Sequence, residues 1–197
     1  VDDIFSSYYN PANSFAPTGL TYSYTKNSTI WLPNISDNIY LKYKIIKVSY
    51  RLKKSPFYFT MTQFKTFIDL GSQAPTNENG TIVGLSDANM KSTAISYSIG
   101  LNFRNFPLRV SIGRTDKKVK QQLFSSSNQL EIIGNSNDKL YDLGILVSFP
   151  YSITKKRKGI STHITPAIGF SQSNRGGNIQ FGDSQDPAPR FARLGIS

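Results

Sequence analysis

Cysteine and long apolar runs are both absent from the 197 residues. Without cysteine the chain has no disulfide framework and no cysteine-based metal site, and it is compatible with an exported protein that folds without oxidation. No stretch reaches the about 18 consecutive apolar residues of a transmembrane helix. A membrane protein built of strands would lack such a stretch too, because its strands need only alternate. Neither an initiator methionine nor a signal peptide stands at Val1, so we expect a mature or trimmed product.

Signatures of catalysis are also missing. Nucleophilic catalysis needs a base beside the nucleophile, and the single histidine, His163, has no acidic neighbour in the sequence. There is no Walker loop, no dinucleotide-binding glycine motif and no nucleophile elbow. Asp183 and Asp186 share a polar segment with Asn178 and could hold calcium through hard oxygens, although a solvated loop is the better explanation. We predict a protein that is not an enzyme and has no cofactor and no metal.

Positive charge is abundant, with 23 lysines and arginines against 12 acidic residues and a formal net charge of +11. A basic patch is typical of nucleic-acid binding. Here the charge is spread and collects in three short runs, Lys53–Lys54, Lys117–Lys120 and Lys155–Lys158. The first and third fall in breaks between predicted strands, which favours solvated turn charge. Contact with phosphates, of nucleic acid or of lipid head groups, is the alternative.

A period of two marks the middle of the chain. From Ile95 to Phe103 every second residue is large and apolar, with small or polar residues between. This alternation predicts a strand with one apolar and one polar face. Asn105–Pro107 interrupts the pattern, which resumes from Leu108 to Ile112. Two strands with so short a break predict an antiparallel hairpin.

The same unit recurs along the chain and predicts eight strands after a short helix. Asp2 or Asp3 is expected to cap a helix through Ser6–Tyr9, which Asn10-Pro11 would end. Changes of phase predict irregularities near Ile45-Ile46 and after Met61. The predicted strands are Leu20–Tyr24, Ile39–Leu52, Phe57–Leu70, Ile95–Phe103, Leu108–Lys120, Leu140–Tyr151, Ile160–Ser171 and Arg190–Ser197, with some further strand around Leu130–Ile133.

Short and long connections alternate between these strands. The short ones are Lys53–Ser55, Asn105–Pro107 and Ser152–Ile160. The long ones, of 17 to 19 residues each, are the polar loops Ser72–Met90, Gln121–Asp138 and Gln172–Pro189. In a meander all short connections fall at one end, as in outer-membrane barrels with short periplasmic turns and longer outer loops. Aromatic residues collect toward the strand ends, as in the interfacial girdles of such barrels.

We therefore predict an all-β fold, an antiparallel up-and-down transmembrane β-barrel. The residues predicted to face lipid are Ile95, Tyr97, Ile99, Leu101, Leu143, Ile145 and Val147. Ser96, Ser98 and Arg104 would line the interior. A soluble antiparallel sandwich or lipocalin-like barrel, with its apolar residues inward, would give the same alternation.

Three aspartates, Asp69, Asp116 and Asp142, lie within or at the ends of predicted strands. In a membrane barrel they should point into the lumen or sit at a rim. There they could pair with an arginine, and the candidates are Arg104, Arg109 and Arg114. We assign them no catalytic role.

Tyr9-Asn10-Pro11-Ala12, after a short helix and before the first strand, resembles the amino-terminal part of the PorV/PorQ group of FadL-like outer-membrane β-barrels. Ile164–Phe170 resembles the "TPxxG" strands of that group, and Pro189–Ser197 is similar to its "P…R.G.S" strand start. The resemblance implies a 14-stranded barrel with an amino-terminal segment near the lumen. Residues 1–18 would form the helix and turn at the barrel mouth, and residues 19–197 the strands of an incomplete barrel. A small eight-stranded barrel is the alternative.

The resemblance also implies a place in the bacterial outer membrane and one of two roles. A PorV-like protein serves type IX protein secretion and receives cargo at the cell surface, whereas a FadL-like channel admits hydrophobic small molecules. The use of Lys, Asn and Ile is typical of Bacteroidota-type sequences and favours the PorV type. The expected partners are membrane lipid, lipopolysaccharide and proteins of an outer-membrane complex, with a hydrophobic ligand as a further candidate. Nucleic acid is not expected, and a soluble basic β domain that binds it remains the other hypothesis.

Overall fold

A computed structural model describes residues 4–13, 18–28, 40–73, 79–81, 86–103, 106–122, 135–155, 160–181 and 184–197. Within these ranges the chain forms one short helix and twelve strands. They are α1 (Ser6–Tyr9), β1 (Gly19–Ser28), β2 (Tyr40–Arg51), β3 (Phe57–Gln73), β4 (Ser86–Asn102), β5 (Arg109–Gln122), β6 (Asn135–Ser148), β7 (Tyr151–Lys155), β8 (Ile160–Ile164), β9 (Ala167–Arg175), β10 (Asn178–Phe181), β11 (Ser184–Pro187) and β12 (Phe191–Ile196).

Eight of the strands form one sheet in the order β1-β2-β3-β4-β5-β6-β9-β12, and every neighbouring pair is antiparallel. The predicted all-β, antiparallel class is confirmed. In the described part of the chain β1 and β12 do not pair with each other, so the sheet is open at two edges. Two hairpins, β7–β8 and β10–β11, stand outside this sheet.

The predicted helix is present and ends at Tyr9, before Asn10-Pro11, as expected. The residue before the helix is Phe5, whose side chain has no oxygen with which to cap the first free N–H groups. The predicted cap falls on Asp2 and Asp3, which lie outside the described residues. Among the described residues, no helix has the length and apolar character needed to cross a membrane.

The predicted irregularities of β2 and β3 are misplaced. Pairing runs without a shift through Ile45-Ile46, and β3 pairs with β4 without a break from Phe57 to Asp69. The lysines of β2 change phase because they occupy both faces of the strand. The real shift lies between Asp69 and Ser72, where Gly71 has a φ of 71°, and the Gly71 N–H donates to Asp69 Oδ1 at 3.0 Å.

Several strands run further than predicted. β3 and β4 extend into the predicted loop Ser72–Met90, and β6 begins inside the predicted loop Gln121–Asp138. The added residues of β3 and β6 are polar on both faces, and those of β4 are mainly small or polar, so they do not show the alternation of large apolar residues that predicts a strand. The predicted strand at Leu130–Ile133 lies outside the described residues.

Two connections contain hairpins that the sequence did not predict. The basic turn predicted at Ser152–Ile160 is wrong, because β7 and β8 pair there before the chain returns to the sheet. Pro166 divides the predicted strand Ile160–Ser171, since proline has no N–H for the ladder; its carbonyl accepts from the Phe149 N–H at 2.8 Å. The predicted loop Gln172–Pro189 instead contains the end of β9 and the β10–β11 hairpin.

The two faces of the large sheet differ sharply. We call the face against which residues 4–13 lie the covered face, and the opposite one the open face. Small polar side chains are buried on the covered face: Ser49, Thr60, Thr62, Ser96, Ser98, Ser111, Thr115, Ser148, Ser171 and Ser173. Large apolar and aromatic side chains are exposed on the open face: Leu20, Tyr22, Val48, Tyr50, Phe59, Met61, Tyr97, Ile112, Leu143, Ile145, Ile168, Phe170, Leu194 and Ile196. This is the reverse of a soluble sheet, in which the apolar face is buried.

Candidate functional site

The N-terminal segment, residues 4–13, crosses the covered face in a groove formed by Gly113, Gly144 and Gly169. Gly113 and Gly144 are directly paired between β5 and β6. A Cβ on Gly113 would overlap the carbonyl of Pro11, and a Cβ on Gly144 would overlap Oδ1 of Asn10. On Gly169 it would lie 2.9 Å from Nδ2 of Asn10. Only a strip without side chains admits the segment so close to the sheet. We call these three residues the glycine groove.

The side chain of Asn10 fastens the segment to the sheet. Its Nδ2 donates to the Ile145 carbonyl at 3.1 Å, and its Oδ1 accepts from the Ala12 N–H at 2.9 Å. The Ser171 hydroxyl donates to the Tyr9 carbonyl at 3.0 Å. A carboxamide is needed here, because one end must donate and the other must accept.

Further contacts hold both ends of the segment. The Ser111 hydroxyl donates to the Ala12 carbonyl, and Ala12 is completely buried. Toward the amino-terminal end, Ile4 and Phe5 pack against a small core of Ile45, Phe64 and Ala94. The motif predicted at Tyr9, Asn10, Pro11 and Ala12 thus lies against the covered face as an internal packing element.

A buried ion pair lies beside the segment on the covered face. Lys117 Nζ is 2.6 Å from Asp142 Oδ2, and their side chains are 13% and 2% exposed. Asp142 Oδ1 accepts from the Asn174 N–H at 2.8 Å, and Lys117 donates to Asn174 Oδ1 at 3.2 Å. Asp142 therefore lies on the covered face, with a lysine as its partner in place of the predicted arginine. That this face lines a lumen stays a prediction.

A cavity of about 360 Å³ lies between the N-terminal segment and the edge strand β12. Its lining includes Asn10, Leu146, Gly169 and Leu194. The cavity adjoins the glycine groove on the covered face, so a ligand in it would touch the segment directly.

The seven residues predicted to face lipid all lie on the open face. Tyr97, Leu143 and Ile145 are exposed, and Ile95, Ile99, Leu101 and Val147 are partly exposed. Cross-strand pairing joins them into one surface, with Ile99 opposite Ile112 and Ile112 opposite Ile145. That lipid covers this surface stays a prediction.

Three polar side chains, Tyr97, Arg114 and Asp116, interact with one another on the otherwise apolar open face. Arg114 Nη2 is 2.8 Å from Asp116 Oδ1, and the Tyr97 hydroxyl donates to Asp116 Oδ2. Asp116 thus pairs with Arg114, one of the three arginines that were predicted as candidates. It lies on the open face, in the row next to Lys118, and not on the covered face that would line a lumen. A position at a barrel rim, the other predicted place, stays a prediction.

The remaining predicted residues have no shared site. Asp69 accepts from the Gly71 N–H at 3.0 Å near the end of β3, and Arg104 and Asp183 lie outside the described residues. His163 is in β8, opposite Ser152. Asp186 is in the β10–β11 ladder, opposite Ile179. Among the described residues, no three His, Cys, Asp or Glu side chains are grouped as a metal site requires.

Sequence patterns missed two parts of this site. Gly113 and Gly144 stand at polar-face positions of alternating strands, which was the one available signal for the groove. Lys117 belongs to a basic run, for which the sequence predicts solvated charge. In the structure it is buried and forms an ion pair with Asp142.

No family model matches this chain, and comparisons with curated proteins and with solved structures found no match either. The resemblance to the PorV/PorQ group therefore remains a prediction.

Proposed function

We propose that this chain is a non-enzymatic outer-membrane β-barrel protein, or a part of one. Its open face would contact lipid, and its covered face would form a polar interior that the N-terminal segment occupies. The observation that carries the proposal is the inverted polarity of the sheet. Lipid-facing strands alternate between apolar residues outside and polar residues inside, and a water-soluble sheet would leave this apolar surface unprotected.

Strand length supports the same conclusion. The alternation from Ile95 to Phe103 is nine residues long and ends one residue after β4. This length is close to the about 9–11 residues of a tilted crossing. In a bilayer every backbone polar group must be paired, so the edges β1 and β12 require neighbouring strands. The eight-stranded sheet would then belong to a larger barrel, for which the resemblance implies 14 strands.

The occupied interior favours the PorV-like role in type IX secretion over free passage of solutes. The N-terminal segment is fixed in the glycine groove by hydrogen bonds from Asn10, Ser111 and Ser171. A solute crossing along this side of the covered face would have to displace it. The long connections at one end of the sheet would present the surface for a protein cargo or partner.

A FadL-like channel for hydrophobic small molecules is the second candidate. The cavity of about 360 Å³ beside Asn10 favours it, because its size falls within the about 300–1,000 Å³ of small-molecule sites. Displacement of the N-terminal segment would extend this cavity along the glycine groove. A bound hydrophobic ligand that contacts Leu146 or Ala167 in this cavity would favour the channel role.

Fractionation of the native source, followed by gel mobility with and without boiling, tests the proposal. Recovery in the outer membrane, release only by detergent and a mobility shift on heating are expected. Recovery as a soluble monomer without a shift would contradict it. In that case the +11 charge would make nucleic-acid binding, with affinity falling steeply with salt, the leading hypothesis.

A further inference from the structure

Two rows of the open face, next to the apolar surface and toward the long connections, are basic. In the first row the cross-strand neighbours are Lys44, Lys65, Thr93, Lys118 and Lys139. In the second row they are Lys26, Lys42, Phe67, Lys91, Lys120 and Asn137. Neither row contains an acidic residue. We call the eight lysines of these rows the lysine collar.

Aromatic rings lie among the lysines of the collar. Lys42 Nζ is 4.5 Å from the centroid of the Tyr40 ring, and Lys91 Nζ is 5.4 Å from that of Phe67. Lys44 Nζ is 5.7 Å from the centroid of Tyr22. Lysines that lie over aromatic rings and keep their ammonium groups toward water are typical of the depth at which head groups begin.

Like charges oppose one another across the strands of the collar. Lys44 stands opposite Lys65, and Lys118 stands opposite Lys139. Such directly opposed like charges destabilise a sheet. An anion bound between these lysines would offset their repulsion and would therefore stabilise the sheet.

The nearest carboxylates of the open face are directed to other groups. Asp116 is held by Arg114 and by the Tyr97 hydroxyl. Asp69 accepts from the Gly71 N–H. Neither of these two described carboxylates is in the two rows, so neither of them neutralises the lysines of the collar.

We propose that the lysine collar binds the phosphate groups of anionic lipids in the leaflet at the long-connection end of the sheet. This inference rests on the proposed function, since it takes the apolar open face as lipid-facing. At the end of the sheet away from the collar, the β2–β3 and β4–β5 connections are short, whereas the β6–β9 connection is long and contains the β7–β8 hairpin. Each connection at the collar end is longer than either of the two short ones. Because outer-membrane barrels carry their longer loops outside, we place the collar at the outer leaflet. The ligand chemistry is a phosphate-bearing lipid head group held by several ammonium groups.

The test uses the full chain in phosphatidylcholine vesicles that contain a minor fraction of phosphatidic acid. Flotation first measures insertion in vesicles of phosphatidylcholine alone. Membrane particles excised with a polymer then give the ratio of the two lipids around the protein. The variant is Lys65→Gln/Lys118→Gln, and the control is Lys53→Gln/Lys54→Gln, which removes the same charge from the exposed turn at the other end of the sheet.

Wild type should enrich phosphatidic acid, and the collar variant should weaken this association by about fivefold per lysine, or about twenty-fivefold in all. The control should keep the enrichment. An unchanged ratio in the collar variant, or an equal loss in the control, would overturn the proposal while leaving membrane insertion intact. Failure of wild type to float would refute the membrane assignment and the collar with it.

Two competitors separate the other sources of phosphate. A single-stranded oligonucleotide that binds the collar and displaces phosphatidic acid would overturn the lipid proposal in favour of nucleic acid. Inorganic phosphate that abolishes the enrichment, when chloride at equal ionic strength does not, would indicate a site for free phosphate and would overturn it too.

Discussion

Gly113→Ala should release the N-terminal segment from the covered face. The new methyl group would overlap the Pro11 carbonyl and lie 2.7 Å from the Ala12 nitrogen, and both of these are backbone atoms that cannot rotate away. The segment would have to move off the sheet near the centre of the glycine groove. The strand itself should remain, since alanine fits an extended backbone.

The size of the effect follows from the bonds that would be lost. Three hydrogen bonds join the segment to the sheet at the groove. They run from Asn10 to the Ile145 carbonyl, from Ser111 to the Ala12 carbonyl and from Ser171 to the Tyr9 carbonyl. At about 0.5–1.5 kcal/mol each, they contribute about 1.5–4.5 kcal/mol to docking. Because each 1.4 kcal/mol is tenfold, amide exchange in the segment should accelerate by about tenfold to a thousandfold.

Hydrogen exchange of the amides in the peptide of residues 4–13 measures this acceleration directly. Gly195→Ala is the matched control, because a Cβ there meets nothing within 4 Å. Unchanged exchange in a folded Gly113→Ala protein would refute the packing described for the groove. So would an equal acceleration in Gly195→Ala.

Three further substitutions test the open face, the buried ion pair and the hydrogen bond from Asn10. Ile145→Arg should cost about 2–4 kcal/mol near the bilayer midplane but only about 0.5 kcal/mol if the open face met water, as urea unfolding from vesicles would measure. Asp142→Asn should cost about 3–5 kcal/mol in the same titration, because it leaves Lys117 buried without its counter-charge. Asn10→Asp should weaken docking by about 1–3 kcal/mol, seen as faster exchange in the segment, because a carboxylate cannot donate to the Ile145 carbonyl.

Each of these substitutions has a result that would contradict it. A tolerated Ile145→Arg would mean that lipid does not meet the open face. The double variant Lys117→Met/Asp142→Leu should recover most of the loss of Asp142→Asn, and failure to recover would mean that the cost is not one of unpaired charge. Exchange in Asn10→Asp as slow as in wild type would mean that Asn10 does not fasten the segment.

Alternation of residues was enough to predict the main sheet. The side chains of a strand point to opposite faces with a period of two, so Ile95 to Phe103 and Leu140 to Tyr151 show both the strands and their faces. The structure agrees on an antiparallel sheet of eight strands and on one shared face for Ile99 and Ile145.

The parts that escaped prediction depend on register or on polar residues. The extension of β3 is polar on both faces, and the extension of β4 consists mainly of small and polar residues, so both look like loops. The β10 strand does alternate, but over only four residues, which is too short a run to predict a strand. The pairing of Lys117 with Asp142 depends on how β5 and β6 are aligned, which no local pattern gives. The position of the segment at Tyr9–Ala12 was expected only from a resemblance, while the glycine groove that receives it becomes visible once Gly113 and Gly144 are paired.

Fluorescence quenching by brominated acyl chains tests most directly whether the open face contacts lipid. In a Trp31→Phe background, which removes the single natural tryptophan, Ile145→Trp places a probe on the open face and Leu146→Trp places one on the covered face. If the open face contacts lipid, the first probe should be strongly quenched and the second only weakly in vesicles of brominated lipid. Equal quenching of the two, or none of the first, would contradict it.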